Sequence, residues 1–160
     1  MTSFHDLYTK YAADVYQFAY WLSGNAADAE DITSETFARA WTAADTLHAP
    51  TVKAYLFKIA RHLFLRSRER GKRQVELSDN IEDPAQSPAH RAEVRDELQT
   101  VMGELQKLPE AERSSLMLRA GQNLSYEEIA TTLNISVSAA KVNVHRARRK
   151  LSALRLRKDI

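Results

Sequence analysis

The chain has 160 residues, 44% of them hydrophobic and 28% charged, with a formal net charge of +2. That length admits one medium domain or two small ones, and the absence of cysteine excludes disulfides and thiolate metal sites. The opening "MTSFHDLYTKYAADVYQFAYWL" has no basic start followed by an apolar core, and no apolar run approaches the roughly 20 residues of a membrane span.

In chain order, apolar residues at 4, 7, 8, 11, 15, 18, 19 and 22 fit one face of a first helix. Gly24-Asn25 supplies its stop. A second helix from about Ala26 to Ala44 places Ile32, Thr33, Phe37, Ala40, Trp41 and Ala44 inward, which makes Trp41 a core residue. Pro50 marks the next start. Val52, Tyr55, Leu56, Ile59, Leu63 and Phe64 form the inner stripe of a third helix, with Lys53, Lys58 and Arg61 elsewhere around it. That helix runs into "RSRERGKR", where Gly71 is the natural terminator.

From Gln74 to about Ala89 the periodicity disappears. "QVELSDNIEDPAQSPA" is acidic, has two prolines and lacks aromatics, so it reads as a flexible linker over 74–89. It separates a first lobe, 1–73, from a second, 90–160. Val94, Leu98, Val101, Leu105 and Leu108 give the second lobe its first stripe, with Gly103 inside it. Pro109 opens a short helix through about Ala120, broken by Gly121-Gln122-Asn123. Ser125 with Glu128 spells a capping box for the next helix. No stretch alternates as a strand does, so the fold class is all-α: two small helical domains joined by a flexible acidic linker.

Charge is unevenly spread. Residues 53–73 hold eight Lys/Arg against one Asp/Glu, and residues 137–160 repeat that balance; the segments before each are acidic. One basic block is usually a solvated face. Two, each closing a helical unit, point to a polyanion touched at two places.

The second block belongs to "IATTLNISVSAAKVNVHRARRKL". A helix-turn-helix needs a small residue where its helices cross, a turn residue that tolerates a left-handed backbone, and a capped second helix with a one-sided seam. Ala130, Asn134 and Ser136 fill the first three roles. Val137, Ala140, Val144, Ala147 and Leu151 form the seam. Ser138, Lys141, Val142, His145, Arg148 and Arg149 stay outside, where the helix start suits a major groove and the basic end suits phosphates. Val142, apolar on an outer face, suits a thymine methyl or another base edge. On these residues alone, a helical hairpin with a basic end remains open.

Both lobes together resolve the question by resemblance. "DAEDITSETFARAW" (Asp28–Trp41), "VKAYLFKIARHLFLRSRER" (Val52–Arg70) and "LSYEEIATTLNISVSAAKVNVHRARRKL" (Leu124–Leu151) occur in that order, and they resemble the signature segments of the extracytoplasmic-function group of bacterial sigma factors. The resemblance covers nearly the whole chain.

It implies that the first lobe is region two, which binds core RNA polymerase and opens the minus-ten element of promoter DNA. The second lobe would be region four, which reads the minus-thirty-five element. Asp31, Ser34, Glu35 and Arg39 would supply the polymerase contact. His48 in the loop Asp45–Val52, with Lys53, Arg61 and His62 on the third helix, would hold the melted minus-ten strand. Lys141, Val142, His145 and Arg146 would meet base edges or adjacent phosphates at minus-thirty-five, with Ser138, Arg148 and Arg149 beside them. Asn143 departs from a common arginine and Ala140 from a common valine. The resemblance also implies restraint by an anti-sigma factor and a place in the cytoplasm, on the nucleoid with polymerase or at the membrane when restrained.

A dimeric helix-turn-helix repressor is the competing class; it needs a self-association surface, and no extra dimerisation helix is present. No stable homo-oligomer is therefore expected. Histidines 5, 48, 62, 90 and 145 have no metal-ligand spacing, and there is no phosphate loop or nucleophile elbow. No enzymatic activity, cofactor or metal is expected.

Overall fold

The computed structural model describes the backbone of residues 3–42, 52–77 and 100–158, and side chains within 3–42, 52–71 and 100–153. The order is α1 (Phe4–Ser23), α2 (Ala26–Thr42), α3 (Val52–Leu77), a helical segment α4 at 100–107, α5 (Glu110–Leu116), α6 (Tyr126–Leu133) and α7 (Val137–Lys158). Among the described residues there is no strand.

Local chemistry sets the helix ends. Ser3 Oγ accepts the Asp6 N–H at 3.1 Å and caps α1. Gly24 ends it at φ 69°, where its N–H reaches the Tyr20 carbonyl at 2.7 Å. A side chain there would be strained, and its Cβ would also meet Gln106 at 3.2 Å. Asn25 Oδ1 then caps α2 through the Asp28 N–H at 3.0 Å. Thr33 and Thr36 are buried in α2, yet their hydroxyls donate to the carbonyls of Ala29 and Ile32, so neither hydroxyl is stranded.

Around α1, α2 and α3 lies a core of Val15, Phe18, Leu22, Ile32, Phe37, Leu56, Phe57 and Ala60. Phe18 and Phe57 meet edge to face at 5.1 Å. Four expectations are corrected. Trp41 is 49% exposed: α2 has run past the lobe's edge there, and the indole rests edge-on against Phe4 at 5.3 Å. Phe57 is fully buried although it falls outside the expected stripe. Gly71 does not stop α3, which continues to Leu77, so the expected start of the linker at Gln74 lies inside the helix. Val101 is 47% exposed, while Leu105 and Leu108 are buried. Ala44, Val94 and Leu98 lie outside the described residues.

The second lobe turns sharply between α4 and α5. Arg113 makes that turn possible: its Nη1 donates to the carbonyls of Leu105, Gln106 and Leu108 at 3.2–3.3 Å, which satisfies the C-terminal carbonyls of α4. Next, α5 runs into a π-helical turn, Met117–Gly121, and Asn123 takes the left-handed backbone at φ 58°. A second cluster, Leu105, Leu108, Leu116, Val144 and Ala147, fixes α7 beneath α4 and α5.

The lobes are not apart. Leu118, Leu124, Ile129, Leu133 and Ala140 of the second lobe join the core cluster of the first. Helix α3 packs on α1 and α2 and also on α6, so it has two buried sides. Phe57, off the expected stripe, packs on Phe18 of α1.

Candidate nucleic-acid interface

Helices α6 and α7 form a helix-turn-helix built from short-range chemistry. Ser125 Oγ accepts the Glu128 N–H at 3.1 Å, and the Glu128 carboxylate accepts the Ser125 N–H at 3.0 Å. This reciprocal box fixes the start of α6. Asn134 ends α6 in the left-handed region at φ 56°, a conformation asparagine tolerates better than other side chains. Ser136 Oγ then accepts the Ala139 N–H at 3.0 Å and starts α7. Ala130 is buried in α6, Ala140, Val144 and Ala147 are buried in α7, and Val137 and Leu151 are half-buried. The seam holds α7 against α5 and α6.

Opposite that seam, Ser138, Lys141, Val142, His145, Arg146, Arg148 and Arg149 are all exposed. Ser138, Val142, His145 and Arg149 follow spacings of four, three and four, one line down the helix. Lys141 lies beside the line, its Nζ 5.8 Å from the centre of the Tyr126 ring. Arg119 covers the same ring at 4.5 Å and donates to the Leu124 carbonyl, so the Tyr126 ring meets two cations. Val142, 43% exposed among these charges, gives the face an apolar point.

Asn143 is not part of that line. It is half-buried, and its Nδ2 donates to Ser115 Oγ on α5 at 3.4 Å. Lys150, further along, binds the buried Glu112 carboxylate at 2.8 and 3.1 Å. Sequence reasoning missed both ties, because Ser115 and Glu112 gave no sign of being buried.

The first lobe carries two further surfaces. Asp31, Ser34 and Glu35 are exposed on α2, with Arg39 half-buried. All four line a groove of about 720 Å³ whose far wall is Leu63, Arg66, Ser67 and Arg70 of α3. Glu35 and Arg39 pair at 3.1 Å. An exposed pair of this spacing is worth only about 0.3–0.5 kcal/mol, so both groups remain available to a partner.

The cations expected at minus-ten are arranged differently. His48 lies outside the described residues. His62 is exposed. Lys53 Nζ instead donates to the Gln122 carbonyl at 3.1 Å, and Arg61 donates to both carboxylate oxygens of Glu110, from Nε at 2.7 Å and Nη2 at 3.0 Å. Burial pushes the Glu110 carboxyl up, but hydrogen bonds from Arg61 and Ser114 and the charges of Arg61 and Arg113 outweigh it, holding the group below the usual carboxylate value. Burial lowers the Arg113 guanidinium, with Arg68 adding repulsion and Glu110 opposing it. Among the described residues no cluster of His, Asp or Glu has the makings of a metal site, and no helix is long and apolar enough to cross a membrane.

Comparison with known proteins follows this division. Residues 7–74 match Sigma-70 region 2 and residues 98–151 match Sigma-70 region 4. The chain is 34% identical to the ECF RNA polymerase sigma factor SigM of Bacillus subtilis (strain 168), over 93% of each chain. Among solved structures it is similar to the sigma factor RpoE in complex with the anti-sigma factor NepR from Bartonella quintana, with a TM-score of 0.79, 29% identity and coverage of 96% and 97% of the two chains. It is also similar to CnrH in complex with the cytosolic domain of CnrY, with a TM-score of 0.73, 30% identity and coverage of 98% and 89%.

Proposed function

The chain belongs to the extracytoplasmic-function group of RNA polymerase sigma factors, and on that premise we propose how its surfaces divide the work of starting transcription. The first lobe, 1–73, docks core RNA polymerase through the α2 groove of Asp31, Ser34, Glu35 and Arg39. Its α3 face, with Lys53, Arg61 and His62, holds the opened minus-ten strand together with His48. The second lobe, 90–160, reads the minus-thirty-five element with α7, and the acidic stretch that follows Leu77 joins the two. The chain does this without catalysis of its own and works where polymerase and nucleoid are, in the cytoplasm. An anti-sigma factor restrains it.

One observation carries the reading. The outward line of α7 combines a hydroxyl, cations, an imidazole and an exposed valine on a helix fixed by two caps and a left-handed turn. Base edges need mixed donors and an apolar point, whereas phosphates need only charge. A basic hairpin selected only for solubility has no use for Val142.

Binding to purified core RNA polymerase tests the proposal. The chain is expected to co-elute with core enzyme at one copy per polymerase, and Glu35→Lys is expected to weaken that complex while leaving the second lobe's DNA affinity unchanged. A chain that ignores core enzyme and binds DNA alone as a dimer would overturn it.

A further inference from the structure

Resting on that reading, we infer that Tyr126 is a positioning residue for base reading: its ring holds the Lys141 ammonium beside the outward line of α7 and so narrows the base that Lys141 meets. Tyr126 is the first residue of α6, fixed there by the Ser125–Glu128 box. Its ring is half-buried and packs against both apolar clusters, so packing sets its position. The Lys141 Nζ lies 5.8 Å from the ring centre, inside the range where the negative face of an aromatic ring attracts a cation. Among the described residues no carboxylate pairs with Lys141, which leaves the ring as the group that restrains it.

Lysine needs such restraint more than arginine does. Its ammonium is a point charge on a flexible four-carbon stem, and it donates to a base acceptor or to a phosphate with little preference of angle. A lysine free to roam exchanges base edges for phosphates, which carry no sequence. Lys141 follows Ser138 by three residues and precedes His145 by four, so its stem starts on the reading face. The ring then limits where the stem ends. A cation on an exposed ring shifts such an equilibrium about two- to fivefold.

Arg119 keeps the hold loose. Its guanidinium covers the same ring at 4.5 Å, and its Nη1 is anchored by the Leu124 carbonyl at 2.9 Å. Two like charges on one ring repel, and the anchored one does not yield. Lys141 is kept near the ring by its face and kept from settling on it by Arg119, and the longer of the two distances is its own. The ammonium is left able to donate outward.

Holoenzyme assembled from core RNA polymerase and the full chain, transcribing a library randomised at minus-thirty-five, tests the inference. Lys141→Ala identifies the position that Lys141 reads, as the one whose preference flattens; flattening at no position would overturn the inference. Tyr126→Phe, which keeps the ring, is expected to keep the parent's preference there. Tyr126→Leu is expected to lower it about two- to fivefold at that position alone, with core binding and the other positions unchanged. In the Lys141→Ala background Tyr126→Leu should change no preference further. Should the leucine variant melt early, pentafluorophenylalanine at position 126 keeps the ring's shape but removes the negative charge of its face, and is expected to give the same loss. A loss spread over every position, or one that persists without Lys141, would make Tyr126 a packing residue and overturn the inference. So would a phenylalanine variant weakened on all promoters alike, since that would place the hydroxyl on a phosphate. The free chain gives a readout independent of transcription. The Lys141 ε-methylene protons should resonate upfield in the parent and in Tyr126→Phe, and at the ordinary lysine position in Tyr126→Leu; an unshifted parent would overturn the positioning. A parent that directs no transcription would overturn the sigma-factor reading instead, and the proton shift would still decide the Tyr126–Lys141 contact.

Discussion

Arg61 of α3 and Glu110 of α5 face each other across the two lobes and form a sheltered, bidentate pair at 2.7 and 3.0 Å. The lobe contacts are thereby tied to a group that titrates. Because the Glu110 carboxyl is held below its ordinary value of 4.5, its contribution to the contact between the lobes is fully present above that value. It is lost as pH falls through the lowered one. The lobes are expected to separate on acidification below about pH 4.5, ahead of loss of helix. The distance between dyes on Ala13→Cys and Ser152→Cys, both exposed positions, followed against circular dichroism, checks this, and Glu110→Gln should remove the acid-dependent step.

Arg146 stands exposed on α7, one helical turn beyond Val142. Arg146→Ala is expected to weaken minus-thirty-five-dependent transcription by about 1–3 kcal/mol if the contact is bidentate to a base, with core binding unchanged. If Arg146 meets a phosphate, the loss should be uniform across promoter sequences and the salt dependence should fall by about one unit of slope. Transcription from promoters varied at single minus-thirty-five positions, at two salt concentrations, separates the outcomes.

Asn143 should behave otherwise. Tied to Ser115 rather than set in the outward line, it is expected to change the seating of α7 and not the choice of base. Asn143→Ala should cost about 0.5–1.5 kcal/mol of stability with the promoter preference retained. A changed base preference with stability unaltered would place Asn143 in the reading face after all.

The helix-turn-helix depends on its caps. Ser125→Ala removes half of the reciprocal box and should cost about 1 kcal/mol. Asn134→Val forces a β-branched residue into the left-handed region and should cost about 1–2 kcal/mol. Thermal melts measure both, and minus-thirty-five binding should fall in parallel with folding.

The sequence revealed what depends on near neighbours. Ser125 with Glu128, Asn134 and Ser136 act over three or four residues, and each was readable as a cap or turn. The α7 seam was readable for the same reason: one buried side leaves one stripe. Helix α3 resisted, because α1, α2 and α6 all pack on it, so its buried surface is wider than one stripe and takes in Phe57, which meets Phe18 of α1. Trp41 has the right period, but the lobe ends before it does. Nothing in the sequence around Arg113 signals burial, and only the bend between α4 and α5 makes three carbonyls converge on it. The candidate site follows the same division. The exposed line of α7 was legible from spacing, while the engagement of Lys53 and Arg61 by the second lobe was not, because residues 49 and 69 positions apart in the chain gave no pattern to read.

Initiation itself is the most direct test. Purified core RNA polymerase with this chain should produce defined transcripts from a library of randomised promoters. Aligned upstream of their starts, those promoters should share two sequence blocks at fixed spacing, and Arg146→Ala should relax or weaken only the upstream block. Transcripts without a common start, or equal transcription by core enzyme with and without the chain, would contradict the account.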